Sequence, residues 1–439
     1  MKNTIFNGKW SRILIVALLI LALSTIAFGK TKLRVTTWAG AEETALDESI
    51  IAEFMRLNPD YEVVYEAVTS DNYYQKILTD ISAGTPPDVI LLDAEMIPKF
   101  FEGNFLTDLA PFLSRLAREG YGGSNVYEYF PVLIDIARVD RKIFSIPKDT
   151  SPMGIFFNKK MFDEMGVPYP SEEGWTLEQF AETAKKLTKD LDGDGQNDTW
   201  GFAFPSWVGI VVPLLWAGGG EVFSPDFSHT SGYLNSEVNV KTYQTYLDLL
   251  KQGFAPTPQQ ASALGGNSAL FYTGKVGMIL TGRWFNVSIK GQIKKGLDLQ
   301  VGIASLPFAD INKKDTVSYV SGWSVPSNVQ DKRGAVMLAA FLSSDYAQRK
   351  RCLEGSLAIS ANQAVAHLQG ENDPLDAAFI SMLDYARVPV GSQTKFYRPK
   401  FEDLWAETFD KINVGGESLK AVLDWMAAQM DKAIEKGEN

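Results

Sequence analysis

Residues 31–93 alternate between short apolar runs and longer amphipathic stretches. The runs at Leu33–Trp38, Tyr61–Val68 and Asp88–Asp93 predict three β-strands. Between them, Glu42–Leu57 and Tyr73–Ala83 carry apolar residues at helical spacing. This βαβαβ order predicts a doubly wound parallel sheet, and therefore an α/β fold.

Polar and aromatic residues follow each of these three strands. Trp38 follows the first strand, Tyr73 follows the second, and Asp93 and Glu95 follow the third. The carboxyl ends of parallel strands meet at one edge of the sheet, where open α/β sheets bind their ligands. We therefore expect these four side chains to gather at a ligand site.

A second group of strands begins after residue 150. Gly154–Phe157, Trp200–Phe204 and Leu299–Ala304 have the apolar character of strands, and Trp207 comes shortly after the second of them. Together with the first group they predict two doubly wound α/β lobes. We expect the chain to cross between the lobes near Asp149, near residue 319 and near residue 374.

The most informative strand of the second group ends in a charged and an aromatic residue. Val276–Leu280 is a short apolar run between glycines, which is typical of a strand buried on both faces. Gly282 ends the run, and Arg283 and Trp284 follow it. At the end of a strand, a Trp offers a flat apolar face and an Arg a rigid fork of hydrogen-bond donors.

Length and charge limit the class of protein. The 439 residues suffice for two domains with substantial cores. The formal net charge of −11, with no basic cluster after residue 30, argues against nucleic acid as a partner.

The first 29 residues have the composition of a targeting segment. A positively charged start precedes the apolar stretch Ile13–Phe28, and small residues follow it. This pattern predicts a signal peptide over residues 1–29, cleaved before Lys30, and an exported protein that is periplasmic or extracellular. An uncleaved anchor is the alternative, but the stretch is shorter than the roughly 20 residues that span a bilayer. Cys352 is the only cysteine, so no lipid can be attached at the cleavage site.

Aromatic residues recur at the predicted ends of strands and loops in this chain, which has 10 Trp, 16 Tyr and 26 Phe residues. A pyranose ring stacks its C–H groups on such faces while its hydroxyl groups form hydrogen bonds, so the pattern favours a carbohydrate site. Packing in the core is the alternative, most of all for Trp216 at the end of an apolar helix. The aromatic set is Trp38, Tyr73, Trp207, Trp216, Trp284, Trp323 and Tyr397.

Carboxylates lie near the same predicted edge. Asp93, Glu95 and Asp149 would serve as fixed acceptors for sugar hydroxyl groups. Asp71 belongs to the same group, although capping of the following helix explains it equally well.

The segment Asp190–Asp198 resembles the first part of an EF-hand calcium loop. Acidic residues alternate, and Gly195 occupies the sixth position. Gly201 stands where a bidentate Glu would complete the motif, so another segment would have to complete the shell. We expect a structural calcium ion here, with a solvated acidic turn as the alternative. The predicted ligands are Asp190, Asp192, Asp194, Gln196 and Asp198.

The sequence contains no recognisable catalytic motif. His229 and His367 are the only histidines, and neither has the spacing of a triad or a metal site. Phosphate-binding and dinucleotide-binding glycine motifs are also missing. We therefore expect neither an enzyme nor a required cofactor. Hydrolysis by two carboxylates, Asp93 with Asp149 or Glu95, stays open as the alternative.

Taken together, the mature chain resembles the family 1 extracellular solute-binding proteins, the maltose-binding-protein-like receptors of ABC sugar importers. The motifs that carry the resemblance are Leu33–Trp38, Asn72–Ile77, Ala83–Val89, Phe156–Phe162, Gly218–Phe223, Gly274–Trp284 and Ser321–Trp323.

The resemblance implies a fold of the type II periplasmic binding proteins, in which two α/β lobes are joined by a hinge. The implied division is residues 30–148 with 319–373 in the first lobe, and 151–318 with 375–439 in the second. It further implies that Trp284 stacks on a sugar held between the lobes. We also expect Gly322, next to Trp323, at the ligand site. Arg283 is a departure, because the family often has a small residue or proline there.

Three functions are compatible with these patterns. The leading hypothesis is a monomeric receptor that captures a small carbohydrate or polyol and delivers it to the permease subunits of an ABC transporter. An exported glycan-processing enzyme is the alternative. A sugar sensor or adhesion module that does not serve transport is the third.

Overall fold

The computed structural model describes residues 29–68, 70–139, 141–413 and 415–438. The predicted signal peptide falls almost entirely on residues 1–28, which lie outside the described residues. Within the described ranges, every helix is too short or too polar to cross a lipid bilayer.

The strands are short except for two that pass through the middle of the molecule. They are β1 (Thr31–Thr37), β2 (Tyr61–Ala67), β3 (Val89–Asp93), β4 (Arg138–Val139), β5 (Lys142–Ile143), β6 (Ile146–Asn158), β7 (Trp200–Phe202), β8 (Val276–Gly282), β9 (Val301–Ala304), β10 (Thr316–Ser324), β11 (Ile359–Ser360) and β12 (Ala386–Arg387).

The helices cover both faces of the sheet. They are α1 (Ala41–Leu57), α2 (Ser70–Ser82), α3 (Ile97–Glu102), α4 (Ala110–Arg118), α5 (Pro131–Ile136), α6 (Lys159–Glu164), α7 (Leu177–Leu187), α8 (Val208–Ala217), α9 (Glu237–Lys251), α10 (Pro258–Ala263), α11 (Asn267–Tyr272), α12 (Phe285–Lys294), α13 (Lys332–Leu342), α14 (Asp345–Gln348), α15 (Gln363–Asn372), α16 (Pro374–Met382), α17 (Glu402–Asn413) and α18 (Leu419–Lys436). Short 3₁₀ segments at Ala94–Met96 and Val390–Ser392, and a π-helical segment at Tyr397–Phe401, also border the site described below.

The sheet has the order β2-β1-β3-β10-β6-β8-β7. Strand β1 runs parallel to β2 and β3, which confirms the predicted βαβαβ unit and the α/β fold class. In the second half, β7 and β8 are parallel, whereas β6 is antiparallel to both β8 and β10.

Strands β6 and β10 each pass from one hydrophobic core to the other. Ile146 of β6 packs with the apolar side chains of β1 and β3, while Met153 of the same strand packs with those of β8. On β10 the change of core comes between Val317 and Val320. The two lobes are therefore joined by paired strands rather than by a flexible linker.

The second lobe has helices on both faces of its sheet. Phe157 of β6 faces a core that includes α8 and α18, whereas the adjacent Phe156 faces a separate cluster with α12 and α16. This separation follows from the two-residue period of a strand. Ala366 of α15 packs in that second cluster, although the predicted division assigns residue 366 to the first lobe.

Candidate functional site

A cleft of about 630 Å³ lies between the two cores, above the point where β6 and β10 pair. Both lobes and the two shared strands contribute to its walls, as expected for a ligand site at the carboxyl ends of strands. The lining residues are Trp38, Gly40, Glu43, Asp93, Glu95, Lys148, Asp149, Ser151, Trp207, Trp284, Val287, Tyr319, Val320, Ser321, Leu357, Ala358 and Arg398.

Trp38 forms the aromatic part of the first-lobe wall. It follows directly on β1, and its ring packs edge-to-face on Tyr73, with ring centroids 5.0 Å apart. The Tyr74 ring packs against it at 6.0 Å. This support holds the indole at the rim of the cleft while part of its surface stays accessible.

The opposite wall is built from Trp207, Trp284 and Tyr319. Tyr319 stacks on Trp207 at 5.9 Å and contacts Trp284 at 5.8 Å, so it supports both indoles. The two Trp residues are 40% and 38% exposed, respectively, and their ring centroids lie 6.2 Å apart, so they form one apolar patch. They present apolar surface to the cleft.

Two glycines make room for these indole rings. A Cβ atom on Gly282 would lie 2.1 Å from the Trp284 ring, and one on Gly209 would lie 2.3 Å from the Trp207 ring. Any other residue at either position would push its indole away. The glycine that ends β8 therefore positions the neighbouring aromatic face.

Arg398 and three carboxylates form one polar cluster of the cleft. Arg398 Nε donates to Glu402 at 3.0 Å, and Arg398 Nη1 donates to the Asp93 carboxylate at 3.3 Å. Glu95 lies 3.5 Å from Nη2. Tyr74 donates to the same Asp93 oxygen at 3.0 Å, which fixes that carboxylate at the end of β3.

A second polar cluster lies where the lobes join. Lys148 Nζ lies 2.6 Å from carboxylate oxygens of both Glu43 and Asp149. Ser321 of β10 donates to the other Asp149 oxygen at 2.6 Å. This cluster ties the two shared strands to each other and to α1.

Burial changes the proton affinities of these groups. Burial raises the pKa of Asp93, even though Arg398 and the Tyr74 hydroxyl group favour its charged form. Glu95, whose side chain is only 4% exposed, has its pKa raised to about 8 by burial, against the opposing effect of Arg398. For Lys148, burial lowers the pKa, but the carboxylates of Asp149 and Glu43 outweigh it and the pKa is raised.

The structure brings together six of the side chains predicted to lie at the ligand site. The cleft contains Trp38, Asp93, Glu95, Asp149, Trp207 and Trp284. Their contact with a ligand stays a prediction. Tyr73, Arg283, Gly322, Trp323 and Tyr397 do not line the cleft.

Tyr73 and Arg283 are buried behind the walls, which corrects the expectation that they line the cleft. The Tyr73 hydroxyl group lies 2.8 Å from the carbonyl oxygens of Thr36 and Leu91, so it links neighbouring strands. Arg283 is fully buried and forms a two-pronged ion pair with Asp376, at 2.6 and 3.1 Å.

Gly322, Trp323 and Tyr397 also lie outside the cleft. Trp323 is fully buried, with the Arg351 guanidinium 5.4 Å from its ring centroid. A Cβ atom on Gly322 would lie 2.3 Å from Ser145 Oγ, so this glycine serves packing. Tyr397 stacks on Phe401 in the core of the second lobe.

The structure also adds residues that the sequence did not indicate. Tyr319 and Ser321 lie on the strand that crosses between the lobes. The sequence marked residue 319 only as a crossing point and Ser321 only as part of a family motif, and it assigned neither to the ligand site. Arg398 lies in an irregular segment after the predicted Tyr397, and no periodicity marks it. Trp216 is buried with the Arg387 guanidinium 4.0 Å from its ring centroid, as the packing alternative predicts.

The acidic loop has a compact, exposed geometry. Carboxylate oxygens of Asp190, Asp192 and Asp194 lie within 4.8 Å of one another. Asp198 instead accepts from the Leu191 amide at 2.8 Å, and the Gln196 side chain donates to Asp194 at 3.2 Å. Three of the five predicted ligands thus converge, and the carboxylates of these three also accept hydrogen bonds from backbone amides of the loop. Asp71 does not belong to this loop; it was predicted with the carboxylates of the cleft, and its side chain lies outside the described residues.

Known proteins that are similar to this chain over most of its length include two bacterial binding proteins. A binding protein of Brucella abortus is 24% identical over 431 residues, which are 98% of this chain and 99% of that protein. A galactooligosaccharide-binding protein of Bacillus subtilis is 23% identical over 427 residues, covering 92% of this chain and 89% of that protein.

Solved structures share the fold. An ABC substrate-binding protein of Listeria monocytogenes in complex with cycloalternan matches with a TM-score of 0.77 and 23% identity, covering 92% of this chain and 99% of that one. A solute-binding protein of Thermotoga lettingae bound with α-D-tagatose matches with a TM-score of 0.76 and 19% identity, covering 92% and 100%.

The model of the family described as bacterial extracellular solute-binding protein matches residues 39–349. This range covers more than half of the chain and includes most of the cleft residues. The protein belongs to the bacterial extracellular solute-binding protein family.

Proposed function

We propose that this protein captures a carbohydrate between its two lobes and delivers it to the membrane subunits of an ABC importer. The observation that supports this most strongly is the cleft itself, in which a half-buried indole on one wall and two exposed indoles on the other accompany fixed carboxylates. Apolar ring faces and hydroxyl groups are the two kinds of surface that a sugar presents.

The aromatic walls suit the faces of a sugar ring. Trp38 belongs to the first lobe, and Trp207 and Trp284 belong to the second. A ring bound between them would be covered on both sides and removed from water, which is the arrangement that yields affinity from apolar C–H surface.

The carboxylates suit the rim of the ring. Asp93 and Asp149 are held in place by Tyr74, Ser321 and neighbouring cations. Acceptors that are already ordered lose little entropy when they take hydroxyl groups as donors, so they favour tight and specific binding.

Closure of the lobes follows from this division of the site. Neither wall covers the ligand alone, so the ligand binds the closed form more tightly and shifts the population towards it. The crossing strands β6 and β10 confine the motion to a few residues near Asp149 and Tyr319, as in a hinge. The closed form, in the periplasm or outside the cell, is the one we expect the importer to recognise.

A panel of mono- and oligosaccharides and polyols tests the proposal by thermal shift. A ligand present at 100 times its dissociation constant stabilises the native state by about 2.7 kcal/mol. Small-angle scattering with the best ligand should show a smaller radius of gyration. Absence of any stabilising sugar would refute the proposal, and the appearance of cleaved products would favour the glycan-processing alternative.

A further inference from the structure

Each basic side chain that lines the cleft is shared between several carboxylates. Among the described lining residues, Lys148 and Arg398 are the basic ones. Lys148 is paired with Glu43 and Asp149. Arg398 is paired with three acidic side chains, those of Asp93, Glu95 and Glu402.

These two clusters carry more negative than positive charge. Two cations face five carboxylates, which leaves a formal charge of −3 in and directly beside the cleft. The raised pKa of Glu95 allows this side chain to keep a proton at neutral pH. The formal charge of the two clusters is then still −2. The excess lies at the ligand site itself, where walls of low polarity weaken the screening by water.

Neither cation is free to receive an anionic ligand. Lys148 has a side chain that is 5% exposed, and its Nζ lies 2.6 Å from each of two carboxylates. Arg398 directs Nε and Nη1 to carboxylates at 3.0 and 3.3 Å. An acidic group approaching either cation would come close to the carboxylates already bound there.

We propose that this cleft selects carbohydrates without acidic groups and excludes aldonic acids, uronic acids and sugar phosphates. The inference rests on the proposed carbohydrate-binding function and adds a charge preference to it. Lys148 and Arg398 hold the carboxylates in position for hydroxyl groups instead of binding an anion themselves. Like charges brought together without compensation oppose binding and provide this discrimination.

Matched pairs of sugars that differ by one acidic group test the inference. We would measure dissociation constants by calorimetry for glucose and glucuronate, galactose and galacturonate, maltitol and maltobionate, and lactitol and lactobionate. For every pair whose neutral member binds, we expect the acidic member to bind at least about tenfold more weakly at low ionic strength. Equal or tighter binding of the acidic members would overturn the inference.

Ionic strength and one variant separate charge from shape. Salt screens charges, so the ratio between neutral and acidic affinities should fall between 20 mM and 500 mM salt. Glu402→Gln removes one carboxylate from Arg398 and should lower the same ratio several-fold. Glu221→Gln, an equal charge change at an ion pair with Arg387 away from the cleft lining, should leave the ratio unchanged.

The possible failures are distinguishable. If the acidic sugars bind weakly but neither salt nor Glu402→Gln changes the ratio, the exclusion is steric and the electrostatic inference is wrong. If no neutral sugar of the pairs or of the wider panel binds, the proposed carbohydrate function fails, and the charge preference fails with it.

Discussion

Replacing Trp284 with alanine removes an aromatic face from the cleft and should weaken ligand binding without unfolding the protein. The indole is 38% exposed, and the remainder packs against Tyr319 and Trp207. The backbone amide of Trp284 donates to Ser151 Oγ at 3.1 Å, and this hydrogen bond does not depend on the side chain. The local backbone should therefore persist in the variant.

The exposed part of the ring sets the magnitude. A large aromatic side chain has on the order of 250 Å² of surface, so a 38% exposed fraction offers roughly 95 Å² to a ligand. At roughly 25 cal/mol per Å² this area corresponds to about 2 kcal/mol of binding free energy. The dissociation constant should then rise about 30-fold.

Isothermal calorimetry with the sugar that gives the largest thermal shift measures this change. Circular dichroism and the melting temperature of the free variant show whether it is folded. Tyr127→Ala is the matched control, because Tyr127 is 88% exposed and does not line the cleft, and its affinity should not change. A folded Trp284→Ala variant with wild-type affinity would refute the assignment of Trp284 to the ligand site.

Three further outcomes are expected. Arg283→Met should lower stability by about 3–5 kcal/mol in a chemical denaturation experiment, because it leaves the Asp376 carboxylate buried without its partner; a loss below 1 kcal/mol would contradict this structural role. We propose that the acidic loop binds calcium for stability. Chelator should then lower the melting temperature, while the sugar affinity of the folded protein stays constant. An unchanged melting temperature would mean that the loop is a solvated turn. Because the folded pKa of Glu95 is raised above that of an ordinary carboxyl group, the native state holds the proton more tightly than the unfolded state, and stability should fall as pH rises from about 4.5 to about 8. Denaturation of Glu95→Gln across this range should show a flatter dependence on pH, and an identical slope would refute the assignment.

The order of strands and helices was accessible from local patterns. The apolar runs of the first lobe place β1, β2 and β3 within two residues of their observed bounds. Parallel pairing then followed from topology rules, which depend on short-range connectivity. For the same reason Trp38, Asp93 and Trp284 could be assigned to strand ends before any contact was known.

The direction of each side chain was decided by the tertiary structure. Arg283 and Trp284 are neighbours in sequence, yet one is buried against Asp376 and the other is exposed in the cleft. Local pattern places both at the end of a strand but does not say which one faces the partner lobe. That depends on α16, which supplies Asp376 from a segment more than ninety residues away.

The polar clusters of the cleft also could not be predicted from local sequence patterns. Arg398 joins Asp93 and Glu95 across more than three hundred residues of chain, and no periodicity in the sequence connects these positions. Sequence alone determined the fold class and the family, because these depend on the hydrophobic pattern and on local motifs. The shape and charge of the site depended on the packing of distant segments, because buried charges take up positions only where partners from elsewhere in the chain can pair with them.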